Sequence, residues 1–189
     1  MRRKFTLVPL FCFSMLCVLG QTELPNRFNP LFDFNLSPSH NKNINPLFNS
    51  LINPKLNWNI NPSQNNSLNP TKNQGINPKT NAALNPVDNR ILNPMYSNSL
   101  HPQHPGWSGH YLFDKDDSLI GFVTIASQEV ILCFDKEYKW VCYFIRSSAN
   151  SYNQFTLTGE WTGSFLSQNS SEGYNFFSPD GEWTGKHME

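Results

Sequence analysis

The chain runs through three hydrophobic patterns in turn, and each predicts a different kind of element. Phe5 to Leu19 is an almost continuous apolar run interrupted by Pro9. Beyond it one apolar position recurs every eight residues: Phe28, Leu36, Ile44, Ile52, Ile60, Leu68, Ile76, Leu84, Leu92 and Leu100, each two places before a proline. From Gly106 on, apolar and polar residues alternate over short stretches bounded by turn formers, the period of half-buried strands.

The middle pattern is an octapeptide, (I/L)-N-P-x-x-N-x-x. Asparagine precedes the proline in eight of ten copies, Ser37 and His101 being the exceptions, and a second asparagine follows three residues after it in seven. Asn-Pro initiates turns, because the asparagine side chain accepts from the backbone two residues on and proline presets the next φ. Proline also pushes its predecessor out of the helical region and removes ladder donors, which excludes a helix and argues against a continuous strand. Three states fit this unit: a disordered or polyproline-like stalk, a stacked array of turns, or a collapsed adhesive coat. The histidines at the end of the stretch, His101, His104 and His110, are irregularly spaced in a Pro/Gly linker and read as solvated.

The last pattern is one phrase written four times, anchored on Phe113, Phe134, Phe155 and Phe177 at spacings of 21, 21 and 22 residues. Six places after each anchor stands Leu119, Trp140, Trp161 or Trp183, and two further on Gly121, Cys142, Gly163 or Gly185. Asp180-Gly181, flanked by alternating apolar residues, is a hairpin signal. Taking the equivalent pair as a two-residue loop in every copy sets Phe177 opposite Thr184, Phe134 opposite Val141 and Cys133 opposite Cys142. It puts the phenylalanines on one face and the tryptophans on the other. The expected fold is therefore all-β: four tandem β-hairpins in a pseudo-fourfold, closed or nearly closed antiparallel assembly, after a repeat region that is disordered, extended or a turn solenoid.

Arg2, Arg3 and Lys4 ahead of the first apolar run, with Val18-Leu19-Gly20 after it, read as a signal peptide over 1–20 cleaved before Gln21, so the protein is expected to be secreted or held in the cell envelope. The apolar run is too short for a stable membrane span. Segments then follow as 21–105, the Asn-Pro repeat, and 106–189, the β domain. Without the leader, 11 basic residues face 14 acidic ones with no basic block, which argues against nucleic acid as a partner. Cys133 and Cys142 are the cysteines that remain, and in an oxidising compartment they are a candidate disulfide.

The F-D-K-(D/E) openings, the D-G-E-W-T-G closing and the four tandem hairpins resemble the 4-fold beta flower domain family over roughly the last 83 residues. The resemblance implies a shallow symmetric antiparallel assembly around an apolar central channel, with no established activity. The first copy departs most, having Asp116-Asp117 in place of Asp-Gly and Leu119 in place of tryptophan.

No nucleophile, metal-ligand or phosphate-loop motif is present, the acidic residues sit at hairpin loops as turn formers, and no cofactor is implied. A non-catalytic role is expected. Trp140, Trp161 and Trp183, in equivalent places beside small residues, are candidate ligand-binding residues for a glycan, lipid or apolar protein partner, or else core packing. Two functions fit: an exported binding module displayed on an Asn-Pro stalk, or a structural, adhesive repeat protein whose β domain is a cap or oligomerisation unit.

Overall fold

The computed structural model of the protein describes residues 29–169 and 173–189. The expected signal peptide, its cleavage point and Phe28 lie outside the described residues.

The octapeptides form an ordered array of turns. Short 3-10 turns at Lys42–Ile44, Ser50–Ile52, Trp58–Ile60, Asn66–Leu68, Gln74–Ile76, Arg90–Leu92 and Asn98–Leu100 alternate with turns led by the Asn-Pro pairs. Each unit is thus two four-residue turns, both usually headed by asparagine. The heading Oδ1 accepts the amide two residues on, as in Lys55 N to Asn53 Oδ1 at 3.0 Å and Asn59 N to Asn57 Oδ1 at 3.1 Å. The Nδ2 of the same side chain reaches back to the preceding turns. Asn57 donates to Leu51 O at 2.7 Å and Asn65 to Asn59 O at 2.8 Å, six residues back. The pre-proline Asn77 and Asn93 donate seven residues back, to Pro70 O at 2.9 Å and Pro86 O at 3.0 Å. Proline suits the inner side of such an array, because it has no N–H to leave unpaired. Pro30 and the eight prolines that follow it at eight-residue steps, to Pro94, are all buried.

The β domain is a closed antiparallel barrel in sequence order: β1 (His110–Phe113), β2 (Leu119–Ile125), β3 (Val130–Asp135), β4 (Trp140–Ser148), β5 (Ser151–Phe155), β6 (Trp161–Gln168), β7 (Tyr174–Phe177) and β8 (Trp183–Met188). Pairing of Leu112 with Met188 and Phe113 with His187 closes it.

The hairpin register corrects the expected one. Each loop has three residues rather than two: Asp135 N bonds Lys139 O at 3.0 Å and Tyr138 N bonds Asp135 O at 3.1 Å, and the other three loops repeat this. The third loop residue takes positive φ: Asp117 at 60°, Tyr138 at 63°, Gly159 at 92° and Gly181 at 83°. This is a type I turn completed by a left-handed residue. A bulge follows in every hairpin, and Gly163 and Gly185, with φ of 83° and 77°, lie within it in the last two. The loop moves the pairing by one residue, so Phe134 faces Trp140 and Phe177 faces Trp183, not Val141 and Thr184. The bulge moves it back, so Cys133 does face Cys142. Phenylalanine and tryptophan therefore share a face, contrary to the expected separation.

Two layers of core follow. Leu112, Val123, Ile131, Cys133, Phe144, Leu166 and Met188 form one cluster with Tyr152, Tyr174 and Phe176, so all eight strands contribute to it. Phe144 of β4 meets Phe176 of β7 at 5.7 Å between centroids, a contact that crosses the lumen. The anchors point outward, each stacked on a ring of the neighbouring hairpin: Phe134 on Phe122 at 5.7 Å, Phe155 on Tyr143 at 5.7 Å, Phe177 on Phe165 at 5.2 Å and Phe113 on His187 at 5.2 Å.

These outward rings are buried because the turn array lies over them. Leu84 packs into the outer cluster with Leu132, Phe134, Tyr143 and Phe155. Asn153 Nδ2 donates to Ile60 O at 2.7 Å and Asn175 Nδ2 to Leu36 O at 2.8 Å. Leu132, Asn153 and Asn175 each stand two residues before an anchor, while Leu36, Ile60 and Leu84, the buried aliphatics of the array, are 24 residues apart. Three octapeptides therefore advance the array by one hairpin, from the fourth to the third to the second. Tyr111 OH donates to Pro102 O at 3.2 Å at the first. Lys55 meets Asp180 at 2.7 Å and His101 Nδ1 meets Tyr138 OH at 3.3 Å at the loop ends. The array is a belt on the barrel rather than a stalk. Residues 21–105 carry six basic and three acidic side chains against five and 11 in 106–189, so the two parts attract.

Replacing Asn153 by alanine strands the buried carbonyl of Ile60 and is expected to lower unfolding free energy by about 1–3 kcal/mol in urea melts. His187 offers a second test. It is fully buried, its ring nitrogens make no hydrogen bond of good geometry among the described residues, and Asp117 Oδ1 lies 3.6 Å from Nε2. Burial lowers its pKa from 6.5, and the nearby Asp117, the Gly185 backbone and Asp114 only partly oppose this. Unfolding then takes up a proton below pH 6.5, so stability falls as pH drops through that value toward the lower folded one. The double variant D117G/H187F, which copies the third and fourth loops and an aromatic seam, should melt higher by about 1–3 kcal/mol. Its advantage should widen below pH 6.5. Glu189, whose pKa burial raises to about 7, contributes with the opposite sign: its share is full below 4.5 and is lost as pH rises toward 7. It is common to both chains, so it drops out of the difference.

Candidate functional site: a cup at the loop end of the barrel

A cavity of ≈ 280 Å³ lies where the bulges interrupt the hairpins, lined by residues on both sides of them. All four hairpins line it. Leu112, Phe144 and Phe176 continue into the buried lumenal cluster and make its floor. Ile120 and Val141 lie at the first two bulges, and Gln154, Ser164, Thr184, Lys186 and Asp135 add polar groups to the wall. The arrangement is an apolar well with hydrogen-bonding groups and both signs of charge on one ring, which suits a small amphipathic molecule.

Cys133 and Cys142 belong to this wall, as free thiols on directly paired positions of β3 and β4. Gln154 Nε2 donates to Cys142 Sγ at 3.4 Å. The Cys133 thiol beside it, then this amide, draw the Cys142 pKa below its usual 9.0 against the effect of burial. Its partnership with Cys142, then burial, push the Cys133 thiol well up.

The tryptophans do not line the cup. Trp140 and Trp161 pack on the outer cluster beneath the belt, and Trp183 donates its Nε1 to Lys186 O at 3.3 Å. The small residues beside them do not leave ligand space either. A Cβ on Gly121 would collide with the Phe134 carbonyl, one on Gly163 would lie 2.9 Å from Pro179 Cβ, and one on Gly185 would lie 2.6 Å from Lys115 Cβ. Three of the four positions are thus filled by the neighbouring hairpin, and the fourth, Cys142, enters the cup. Phe144, Gln154, Phe176 and Lys186 were missed as candidates. The alternation along β4, β5, β7 and β8 carries them, but only once the bulges have set its phase.

Gly121→Ala is expected to lower stability by about 1–3 kcal/mol in thermal melts, as overpacking against backbone does. A Gly121 that bordered open ligand space would accept the methyl group without loss. No protein-family model, curated protein or solved structure matches the chain.

Proposed function

We propose that the protein is an exported, non-catalytic binding module that takes a small amphipathic ligand end-on into the loop-end cup. The observation that carries this reading is the ≈ 280 Å³ cavity shared by all four hairpins, with Phe144 and Phe176 below and Gln154, Thr184 and Lys186 at its wall. Medium-chain aliphatic carboxylates are the probe class of choice, because the well takes the hydrocarbon and Lys186 the head group. In this reading the belt braces the barrel and does not display it. We place the barrel beside the 4-fold beta flower domains, on the hairpin phrase and on four hairpins around one lumen.

The test is a calorimetric titration of octanoate and octanol into the wild-type chain and into S164W, which fills the cup from its wall. Saturable binding weakened at least tenfold in S164W, about 1.4 kcal/mol or more, is the expected result. Equal weak partitioning into both chains would remove the cup as the site.

A second reading, structural or adhesive, is favoured by one observation. Phe32, Phe34, Leu47, Phe48, Leu51, Leu56 and Trp58 on the early belt, and Val87, Ile91, Met95 and Tyr96 on the late belt, expose large apolar side chains. Self-association that F48S/L51S/W58S abolishes, seen by sedimentation, would support it.

A further inference from the structure

We propose that Cys142 and Cys133 form a reactive dithiol in the cup, which exchanges with small disulfides, Cys142 attacking first and Cys133 resolving. The inference rests on the cup being open to small molecules, as the binding reading does, but not on any ligand occupying it.

Three observations converge on the pair. The thiols stand on directly paired positions of β3 and β4, so a bond between them closes within one hairpin. Both lie in the cavity wall, yet Cys133 is 6% exposed while Cys142 is half-buried, so a reagent entering the cup meets Cys142 first. Cys142 also receives the Gln154 amide at 3.4 Å, a donor that favours its thiolate, whereas Cys133 is a buried member of the apolar cluster that Cys142 only packs against. The opposite displacements of the two thiol pKa values, set mainly by the contact between them, have the same sense.

The chemistry balances with one disulfide R–S–S–R as oxidant. Cys142 gives up its proton, and its sulfur attacks one sulfur of the reagent. The S–S bond breaks, and one R–S⁻ leaves and is protonated. Cys133 then loses its proton and attacks the Cys142 sulfur of the mixed disulfide, expelling the second R–S⁻. Two protein thiols become one disulfide between β3 and β4, and the reagent becomes two thiols. An equal path in reverse lets a small dithiol reopen the pair.

The experiment uses the reduced chain lacking residues 1–20, which removes Cys12 and Cys17, and bis(2-hydroxyethyl) disulfide, followed by intact mass and non-reducing peptide mapping. Wild type should lose two hydrogens without retaining an adduct. C133S should accumulate one hydroxyethylthio group on Cys142, at least tenfold faster than C142S accumulates one on Cys133, with both variants melting cooperatively. S164W should slow the C133S adduct. Equal or faster modification of C142S, or an adduct on wild type that never resolves, would overturn the proposal. So would thiols in both variants that react only in urea. Adduct formation in C133S alongside a failed octanoate titration would sink the ligand reading and leave the dithiol standing.

Discussion

The structure depends on asparagine side chains that act as pieces of backbone. In the octapeptide array neither a continuous helix nor a sheet partner satisfies the main chain, and prolines recur too often for either to form. The asparagine Oδ1 takes the amide two residues ahead, and its Nδ2 takes a carbonyl six or seven residues behind. Each turn is thereby pinned to the one before it, and the inner surface is left with proline rings and one aliphatic side chain per unit. The barrel uses the same device. Asn153 and Asn175, otherwise poor choices for a buried position between phenylalanines, hold the belt through the carbonyls of Ile60 and Leu36.

That interaction explains why a barrel of this size can afford aromatic rings on its outside. An isolated domain of about 80 residues buries too little of its surface to be comfortable. Here the lumen is one core and the stacked seams beneath the belt are a second, with Leu84 in the same cluster as Phe134 and Phe155. The match of 24 residues of belt to one hairpin makes the two repeats commensurate. The seam between β8 and β1 departs from the rest, placing His187 where Phe122, Tyr143 and Phe165 stand elsewhere. The imidazole there is buried without a hydrogen bond of good geometry among the described residues.

Much of this was legible in the sequence, and the remainder failed for identifiable reasons. The hairpin count, the antiparallel closure and the turn-forming role of Asn-Pro follow from spacing and local chemistry. The pairing of Cys133 with Cys142 was reached through two offsets that cancel, a longer loop and a bulge. The tryptophans had no such cancellation, and they fell on the wrong face. The missed signal was Asp135, whose Oδ1 accepts the amides of Glu137 at 3.0 Å and Lys139 at 2.9 Å, the cap of a three-residue loop. One recurring aliphatic per eight residues is too little burial to order such a repeat by itself, which keeps a disordered stalk among the states open from sequence. That reckoning omitted the side-chain-to-backbone bonds and the second surface that the barrel supplies. The 24-residue step had no trace within any one octapeptide, because neighbouring units are nearly alike, but polar Asn153 and Asn175 in an otherwise apolar column marked where the belt would bind.

The central claim is that the Asn-Pro repeat is folded onto the barrel. Small-angle scattering of the chain lacking residues 1–20 tests it in one measurement. A belted barrel should give a radius of gyration near the ~16 Å of a compact chain of this length. A repeat of about 75 residues extended from the barrel at polyproline rise would reach on the order of 200 Å. A maximum dimension well above 100 Å, on the order expected for that extended state, would contradict the account.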